Sequence, residues 1–329
     1  MRHDTSDRKE RFTVSNHEIV VQSEHLAAEA SAWLAGRCRL VECGYDEERF
    51  RGVLGDAVGL VVRTYTVVDR ALLDAAGKLR VVGRAGSGLD NIDVRGCRER
   101  GIKVVYTPGA NTQAVVEYVV ALLTDVLRPR APLARPVDQR RWRAIRDEAV
   151  AERQMSELSL GILGMGRVGR RLAEVARAIG FSQILYNDVA EIPPQQRFGA
   201  SPVSVEVLFA QSHVISIHVD GRASNRHLVS HGLVGRMRLD AVLINTSRGF
   251  VVDNVALAEF LRARSAARAL LDVHECEPFD AGNPLVGLAN ARLYPHLAAC
   301  TKRAHLNMSW VVRDVLAVLE ERQPEYPAP

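Results

Sequence analysis

The sequence predicts an α/β protein made of two doubly wound parallel-sheet domains. Short runs of β-branched residues recur along the chain, and each run is followed by a helix-like stretch. Strands that alternate with helices in this order favour parallel sheets covered by helices on both faces. At 329 residues the chain is long enough for two domains that each bury a core of their own.

The predicted strands fall into two series, separated by a long apolar segment. That segment, Asn111–Leu127, predicts one largely buried helix that Asn111 can cap and Pro129 can stop. Amphipathic stretches such as Glu24–Gly36 and Asp69–Ala76 lie between the first strands. The predicted strands are Glu18–Ser23, Arg39–Cys43, Gly59–Thr64, Arg80–Gly83, Lys103–Tyr106, Leu158–Leu163, Gln183–Tyr186, Val214–His218, Ala241–Thr246, Arg268–Val273 and Arg292–Tyr294.

The two series predict one domain from residues 1–109 with 298–329, and a second from residues 110–297. The last helix-like stretch, Thr301–Arg322, can therefore pack back on the first domain. Residues 1–16 and the tail Gln323–Pro329 are expected to be disordered or loosely attached. The arginine-rich stretch Arg128–Arg146 is expected to be a solvated connection. An arm between subunits and a surface for an anionic partner are its alternatives.

The composition is ordinary for a soluble globular protein, with 47% hydrophobic and 25% charged residues and a net charge of +4. This balance calls for neither a nucleic-acid nor a membrane partner. Five scattered cysteines without C-x-x-C spacing predict free thiols, and we expect no metal site. The polar N-terminus lacks the apolar core of a signal peptide, and no apolar run approaches the ~20 residues of a membrane span. We expect a soluble, cytoplasmic protein.

A glycine-rich motif, GMGRVG at residues 164–169, lies between an apolar strand and an amphipathic helix. In a dinucleotide site Gly164 permits the tight turn, Gly166 lets a pyrophosphate approach the backbone, and Gly169 lets the helix pack on the strand. The helix N-terminus presents free N–H groups to the phosphates. Such a motif alone is a weak signal, since glycine turns also simply join strands to helices. With the right context on both sides, it predicts a Rossmann dinucleotide-binding domain.

The choice of dinucleotide depends on the end of the next strand. Asp188 lies there, 19 residues after Gly169. A carboxylate at this place accepts hydrogen bonds from both ribose hydroxyls and repels a 2′-phosphate, and no arginine follows immediately. The sequence therefore predicts NAD rather than NADP. Asn187, one residue earlier, is the alternative, and the preference for NAD would weaken if it faced the ribose instead.

Three further segments place a charged or titratable side chain after an apolar strand. The block NTSRG contains Arg248, DVHECEP contains Glu277, and YPH ends in His296. The carboxyl ends of strands are where doubly wound sheets bind ligands. A cation, an acid/base and a carboxylate that tunes the base are what oxidation of a 2-hydroxy acid requires. One such residue at a strand end more often serves the surface or packing, but this order, with spacings of 29 and 19 residues, is much harder to obtain by chance.

These blocks, the glycine motif and PHLAACT together resemble the D-2-hydroxyacid dehydrogenase family, the relatives of phosphoglycerate dehydrogenase. In the first domain, GRAGSGLDNID from Gly83 resembles that family's substrate loop. TPGANT from Thr107, with Glu117, resembles the entry to its interdomain helix. The resemblance covers residues 57 to 310 and implies a flavodoxin-like substrate domain beside the NAD-binding Rossmann domain. It also implies a homodimer formed mainly through the dinucleotide domain.

The resemblance assigns roles in the conversion of a small 2-oxo acid to a D-2-hydroxy acid. Arg248 would bind the substrate carboxylate and polarise the carbonyl, which suits its planar fork. His296 would donate or accept the proton, and Glu277 would hold the imidazole and favour its protonated form.

The resemblance also names residues for the cofactor and the substrate. Asp272 would bind the nicotinamide amide, and Arg167 and Val168 would lie on the pyrophosphate. His218 and Thr246 would line the cofactor cleft. The backbone amides of Ser87 and Gly88 would grip the substrate carboxylate, with Arg63 and Asn111 as further substrate candidates; a surface role for Arg63 is equally open.

Two positions depart from the family pattern. Asp220 adds a carboxylate near the adenosine half, which would disfavour NADP further or weaken NAD. Ala298 and Ala299 replace a glycine pair and would tighten the space beside His296. Neither change removes a catalytic group. The remaining histidines of this region are expected to be structural: His213, His227, His231, His274 and His305.

Three other functions are weighed against this one. An NAD(H)-sensing scaffold or corepressor on the same fold could keep the triple of Arg248, Glu277 and His296, so it stays open. A formate or phosphite dehydrogenase relative is a further alternative; formate enzymes of this superfamily replace the glutamate beside the histidine, so Glu277 speaks against it. His231-Gly232 is similar to the active-site pair of L-lactate dehydrogenases. Those enzymes begin with the dinucleotide motif, whereas 163 residues precede it here.

Overall fold

Two units, each built around one sheet, make up the chain. The computed structural model describes residues 17–128 and 130–329. Unit 1 comprises Met1–Asn111 and Thr301–Pro329, and unit 2 comprises Thr112–Cys300. The expected disorder of residues 1–16 and the helix stop at Pro129 lie outside the described residues.

The sheet of unit 1 has five strands among the described residues. These are β1 (Ile19–Gln22), β2 (Arg39–Glu42), β3 (Ala57–Val62), β4 (Val81–Arg84) and β5 (Lys103–Tyr106). They lie in the order β2-β1-β3-β4-β5, and every pairing is parallel. This is the flavodoxin-like order, which binds ligands where the strand order reverses, at the carboxyl ends of the strands.

Short helices connect these strands: α1 (Ala28–Ala35), α2 (Phe50–Asp56), α3 (Arg70–Ala75) and α4 (Val94–Glu99). Asp69 caps α3 by accepting from the Leu72 amide, and Asp93 caps α4 by accepting from the Gly96 amide. The apolar side chains of the strands form a buried core on which α2, α3 and α4 pack.

Unit 2 is wound around a parallel sheet of seven strands in its described part. These are β6 (Ser159–Leu163), β7 (Gln183–Asn187), β8 (Ser201–Pro202), β9 (Val214–Ile217), β10 (Val242–Asn245), β11 (Arg268–Leu271) and β12 (Ala291–Leu293). Their order is β12-β11-β10-β9-β6-β7-β8, the Rossmann order with one strand added. The order reverses at β6, so the loops after β6, β7 and β9 are neighbours at one edge. The two parallel sheets confirm the predicted fold class.

The helices of unit 2 are α5 (Thr112–Leu127), α6 (Gln139–Glu148), α7 (Arg167–Ile179), α8 (Val205–Gln211), α9 (His231–Val234) and α10 (Asn254–Ala263). Apolar cores lie on both faces of the sheet, one containing Leu160 and Leu172 and the other containing Leu243 and Leu257. Helix α5 is the long helix expected from the sequence. Helix α6 begins in the arginine-rich stretch, ends two residues beyond it, and buries none of its residues.

The C-terminal segment forms two helices of unit 1, α11 (Lys302–Ser309) and α12 (Val312–Leu319), rather than one continuous stretch. Helix α12 packs on β3 and β4, where the side chain of Val315 is buried. The expectation of a loosely attached tail is wrong. The Tyr106 amide donates to the Tyr326 carbonyl at 3.2 Å, and the Ala328 amide donates to the Val104 carbonyl at 2.8 Å. The tail thus pairs with edge strand β5, whose free backbone groups need partners.

Candidate active site

The glycine-rich turn after β6 fits the approach of a dinucleotide. Gly164 has φ +96°, and a Cβ there would lie 2.7 Å from the carbonyl carbon of His218. A Cβ at Gly169 would lie 2.2 Å from the Gly164 oxygen, so α7 packs directly on the turn. Around a Cβ built at Gly166, in contrast, no described atom lies within 4 Å. The turn is therefore closed toward the protein and open on the side where α7 begins, at Arg167.

Asp188 lies directly after β7 and is tied to this turn. Its Oδ2 accepts from the Met165 amide at 2.6 Å, and its Oδ1 accepts from the Ala190 amide at 2.8 Å. The side-chain amide of Asn187 instead donates to the Val203 carbonyl at 2.8 Å, toward β8. This arrangement favours Asp188 over Asn187 as the residue that faces a ribose.

The other candidate cofactor residues lie along the same edge. His218 follows β9, and its Nε2 lies 2.8 Å from the Ser216 hydroxyl. Burial lowers the pKa of His218 to about 3, so this imidazole is neutral at physiological pH. The Thr246 hydroxyl, after β10, is buried without a hydrogen-bond partner, which a bound cofactor can supply. Val168 is half-buried in the first turn of α7, and Arg167 is exposed.

Asp220, the carboxylate that departs from the family pattern, forms its ion pair within its own loop. Arg222 donates from Nε to Asp220 Oδ1 at 2.7 Å, and the Asn225 side chain donates to the same oxygen at 3.1 Å. The hydrogen bond from Arg222 holds the pKa of Asp220 below its usual value. The charge of Asp220 is therefore balanced by Arg222. This pairing reduces the repulsion of a bound cofactor that an unpaired carboxylate would cause.

His296 and Glu277 form a hydrogen-bonded pair after β12 and β11. The imidazole Nδ1 lies 2.8 Å from Glu277 Oε2, and the two side chains are 38% and 29% exposed. The His274 amide donates to Glu277 Oε1 at 2.9 Å. Burial raises the pKa of Glu277, but these hydrogen bonds outweigh it and hold that pKa below its usual value. Because the carboxylate occupies Nδ1, Nε2 of His296 is the nitrogen left for proton exchange with a ligand.

Arg248 follows β10 in a turn that buried polar side chains hold. Asn245 is 1% exposed, and its Oδ1 accepts from the amide of Ser247 at 3.0 Å. The side-chain amide of Asn245 donates to the Arg248 carbonyl at 2.9 Å, and one arginine nitrogen donates to the Ser247 carbonyl at 2.7 Å. The NTSRG block thus folds as one hydrogen-bonded turn around its arginine.

Asp272 is fully buried and binds the loop that carries His296. Its carboxylate accepts from the amides of Leu297 and Ala298, both at 2.8 Å, and its carbonyl accepts from the His296 amide at 2.9 Å. Burial raises the pKa of Asp272. Both carboxylate oxygens of Asp272 already accept hydrogen bonds from the protein backbone. The expected contact with the nicotinamide amide stays a prediction. Ala298 is buried here and contributes through its amide.

The substrate candidates all lie in unit 1. Ser87 donates its hydroxyl proton to Asn111 Oδ1 at 2.8 Å and lies 3.3 Å from the Thr107 carbonyl. Ser87 and Gly88 are half-buried and follow β4 at its carboxyl end. Asn111 therefore orients the loop whose amides are the expected carboxylate ligands.

Arg63 lies after β3 in a turn that one carboxylate organises. Glu24 accepts from the amides of Arg63, Thr64, Tyr65 and Thr66 at 2.9–3.2 Å. Burial raises the pKa of Glu24, but the four amides outweigh it and lower that pKa. The Arg63 guanidinium contacts His305 Nε2 at 2.8 Å and donates to the His25 carbonyl at 3.0 Å. No signal in the sequence distinguishes Glu24 from the other charges of its amphipathic stretch.

The described residues contain no group of three or more His, Cys, Asp or Glu side chains that could hold a metal ion. None of the helices in residues 17–128 and 130–329 is long and apolar enough to cross a membrane. The five cysteines are free thiols; Cys38, Cys43 and Cys97 are buried, and Cys276 and Cys300 are exposed.

Comparisons with known proteins agree with this geometry. A family model described as D-isomer specific 2-hydroxyacid dehydrogenase, NAD binding domain, matches residues 120–298. The chain is 31% identical over 284 residues to D-3-phosphoglycerate dehydrogenase of Archaeoglobus fulgidus, covering 86% of this chain and 53% of that one. It is 34% identical over 258 residues to glyoxylate reductase of Aeropyrum pernix, covering 77% of each. The crystal structure of a glyoxylate reductase from Paecilomyes thermophila matches with a TM-score of 0.81 and 28% identity, over 96% of this chain and 99% of that one.

Fold and site thus define a two-unit α/β protein whose second unit is an NAD-binding domain. The chain belongs to the D-isomer specific 2-hydroxyacid dehydrogenase family, which confirms the resemblance drawn from its motifs. NAD is its cofactor. The chain spans about half of the length of the phosphoglycerate dehydrogenase that it matches.

Proposed function

We propose that the protein is an NAD-dependent oxidoreductase that interconverts a small 2-oxo acid and a D-2-hydroxy acid. The observation that carries the proposal is the 2.8 Å pair between His296 and Glu277 at the carboxyl edge of an NAD-binding sheet. Arg248 follows β10, which is the neighbour of β11 in the same sheet. An acid/base, its carboxylate partner and a cation thus follow three neighbouring strands.

The side chains divide the reaction between them. NADH, when bound, supplies the hydride for C2 of the 2-oxo acid. His296 donates the proton from Nε2 to the carbonyl oxygen, and takes it back in the direction of oxidation. Glu277 orients the ring through Nδ1 and stabilises the imidazolium form. Arg248 binds the substrate carboxylate and polarises the carbonyl, so that negative charge developing on oxygen is stabilised.

Turnover of a panel of 2-oxo acids with NADH, and of D- and L-2-hydroxy acids with NAD, tests the proposal. We expect reduction of at least one small 2-oxo acid and oxidation of only the D isomer of its product. Tight NADH binding without turnover of any member would contradict the proposal and favour the scaffold or corepressor function.

We also propose that the protein is a homodimer joined by the arginine-rich arm around α6. This helix buries none of its residues, and Trp142 and Leu133 in the arm are 50% and 45% exposed. Apolar side chains on an element without a core of its own favour burial against a partner. Light scattering at micromolar concentration should give twice the 36.2 kDa of one chain, and a monomer would contradict the arm's role.

A further inference from the structure

We propose that the buried His274 is a positioning residue that holds the segments of Arg248, Glu277 and His296 in one arrangement. This inference rests on the proposed function, because it concerns the same three side chains. The sequence predicts only a structural histidine here, and the proposed reaction gives it no step. Three separate contacts support the larger role.

The first contact fixes Glu277. The backbone amide of His274 donates to Oε1 at 2.9 Å, while Oε2 of the same carboxylate lies 2.8 Å from His296 Nδ1. Each carboxylate oxygen therefore has one defined partner. With Oε1 held by the backbone, rotation of the carboxylate away from His296 would break both hydrogen bonds together.

The second contact fixes the approach to His296. The imidazole Nε2 of His274 lies 2.8 Å from the Tyr294 carbonyl. Because a carbonyl oxygen can only accept, Nε2 must carry the proton. Tyr294 stands two residues before His296, directly after β12. The ring of His274 thus links the loop of Glu277 to the strand end that presents His296.

The third contact fixes the turn of Arg248. A Cβ at Gly249 would lie 1.8 Å from the carbonyl carbon of His274 and 2.2 Å from its oxygen. Only glycine allows the turn after Arg248 to lie this close to the His274 backbone. A shift of the His274 backbone would therefore displace the turn that carries the arginine.

The ring itself has little freedom. His274 is 7% exposed, and its ring centroid lies 4.4 Å from that of Phe279. Its Nδ1 is buried without a hydrogen-bond partner, so the bond from Nε2 to Tyr294 is the polar contact of the imidazole. Removing that one donor isolates the positioning role, since an aromatic ring of similar size can keep the packing.

The experiment compares H274F with H274Q in the full chain. Phenylalanine keeps a ring but loses the donor, whereas glutamine can place a terminal N–H near the position of Nε2. The Nδ1–H signal of the His296 imidazole, which reports its hydrogen bond to Glu277, is followed by NMR in ¹⁵N-histidine-labelled protein without substrate. The contacts of His296 include the Nδ1 bond to Glu277, and Cys300 Sγ lies 3.7 Å from its carbonyl. Neither substitution replaces Glu277 or Cys300.

In H274F we expect the His296 Nδ1–H signal to lose the downfield shift that a hydrogen bond to a carboxylate gives, because Glu277 is no longer well aligned with the ring. The kcat for the best 2-oxo acid should fall by about 10-fold or more, since small misplacements of reacting groups are costly. The Kd for NADH should stay unchanged. H274Q should restore the Nδ1–H signal and most of kcat.

A wild-type Nδ1–H signal and kcat in H274F would overturn the proposal, and so would an H274Q that is as impaired as H274F. The NMR measurement needs no turnover. If the wild-type chain reduces no 2-oxo acid, the proposed function fails, while the Nδ1–H signal still decides whether His274 positions the pair.

Discussion

The two units hold their candidate site residues by different means. In unit 2 the bond that holds His296 joins two side chains, its imidazole and the carboxylate of Glu277. In unit 1 the turn of Arg63 is held by one side chain that binds backbone, since Glu24 accepts from four successive amides. The proposed chemistry of unit 2 therefore depends on the identity of two side chains, His296 and Glu277. The shape of the turn at Arg63 in unit 1 depends on one carboxylate that binds the backbone.

The largest effect is expected when the imidazole of the His296–Glu277 pair in unit 2 is removed. His296→Ala should lower turnover by ~10²–10⁴-fold, because a positioned general acid is lost. Steady-state kinetics with the best 2-oxo acid measure this, and NADH binding by fluorescence should be nearly unchanged. The matched control is His231→Ala, since that side chain is 80% exposed in the same unit. Near wild-type turnover in His296→Ala would show that another group delivers the proton.

The second prediction concerns the cofactor edge of unit 2. Asp188→Ala should narrow the preference for NADH over NADPH, because hydrogen bonds from the ribose to a charged partner are worth ~1.5–3 kcal/mol each. Kd values for both cofactors, measured by titration, check this. Glu191→Ala removes an exposed carboxylate three residues away and serves as the control for charge alone. If both variants shift the preference equally, Asp188 acts only through its charge; if the wild type prefers NADPH, the assignment is wrong.

The sequence predicts most of unit 2 because its motifs and its strands coincide. Each motif follows an apolar strand, so the parallel topology alone collects Asp188, Arg248 and His296 at one edge. The sequence does not predict β8, because this strand has two residues, one of them Pro202, and shows no alternation of apolar and polar side chains. The role of His274 is invisible because a backbone amide and one ring nitrogen give no pattern along the chain.

The sequence predicts less of unit 1 because its contacts join distant positions. Glu24 and the turn at Arg63 are separated by 39 residues, and nothing near Glu24 marks it as a ligand of backbone amides. The prediction of a loosely attached tail is wrong for the same reason. Its polar, proline-containing composition suggests a free end, but the unpaired edge of β5 offers hydrogen bonds that composition does not reveal.

The smallest effect is expected when the hydrogen bonds between Glu24 and the backbone of unit 1 are weakened. Glu24→Gln should destabilise the protein by ~1–3 kcal/mol at neutral pH, because a neutral amide oxygen replaces a carboxylate that accepts from four amides. Thermal unfolding measures the change, and a fall in Tm of about 2–8 °C is expected. Glu48→Gln, an exposed glutamate of the same unit, controls for the loss of charge.

The pH dependence of that loss identifies its cause. Burial raises the pKa of Glu24, but the amides of residues 63–66 outweigh it, so the folded-state pKa lies below the ordinary value of 4.5. A carboxylate with a depressed pKa stabilises the folded state fully above its unfolded pKa, and this stabilisation is lost as pH falls through the folded pKa. The difference in Tm between wild type and Glu24→Gln should therefore be constant near neutral pH and shrink below pH 4.5. A difference that persists unchanged into strong acid would mean that glutamine disturbs packing, and that the charge of Glu24 does not hold the turn of Arg63.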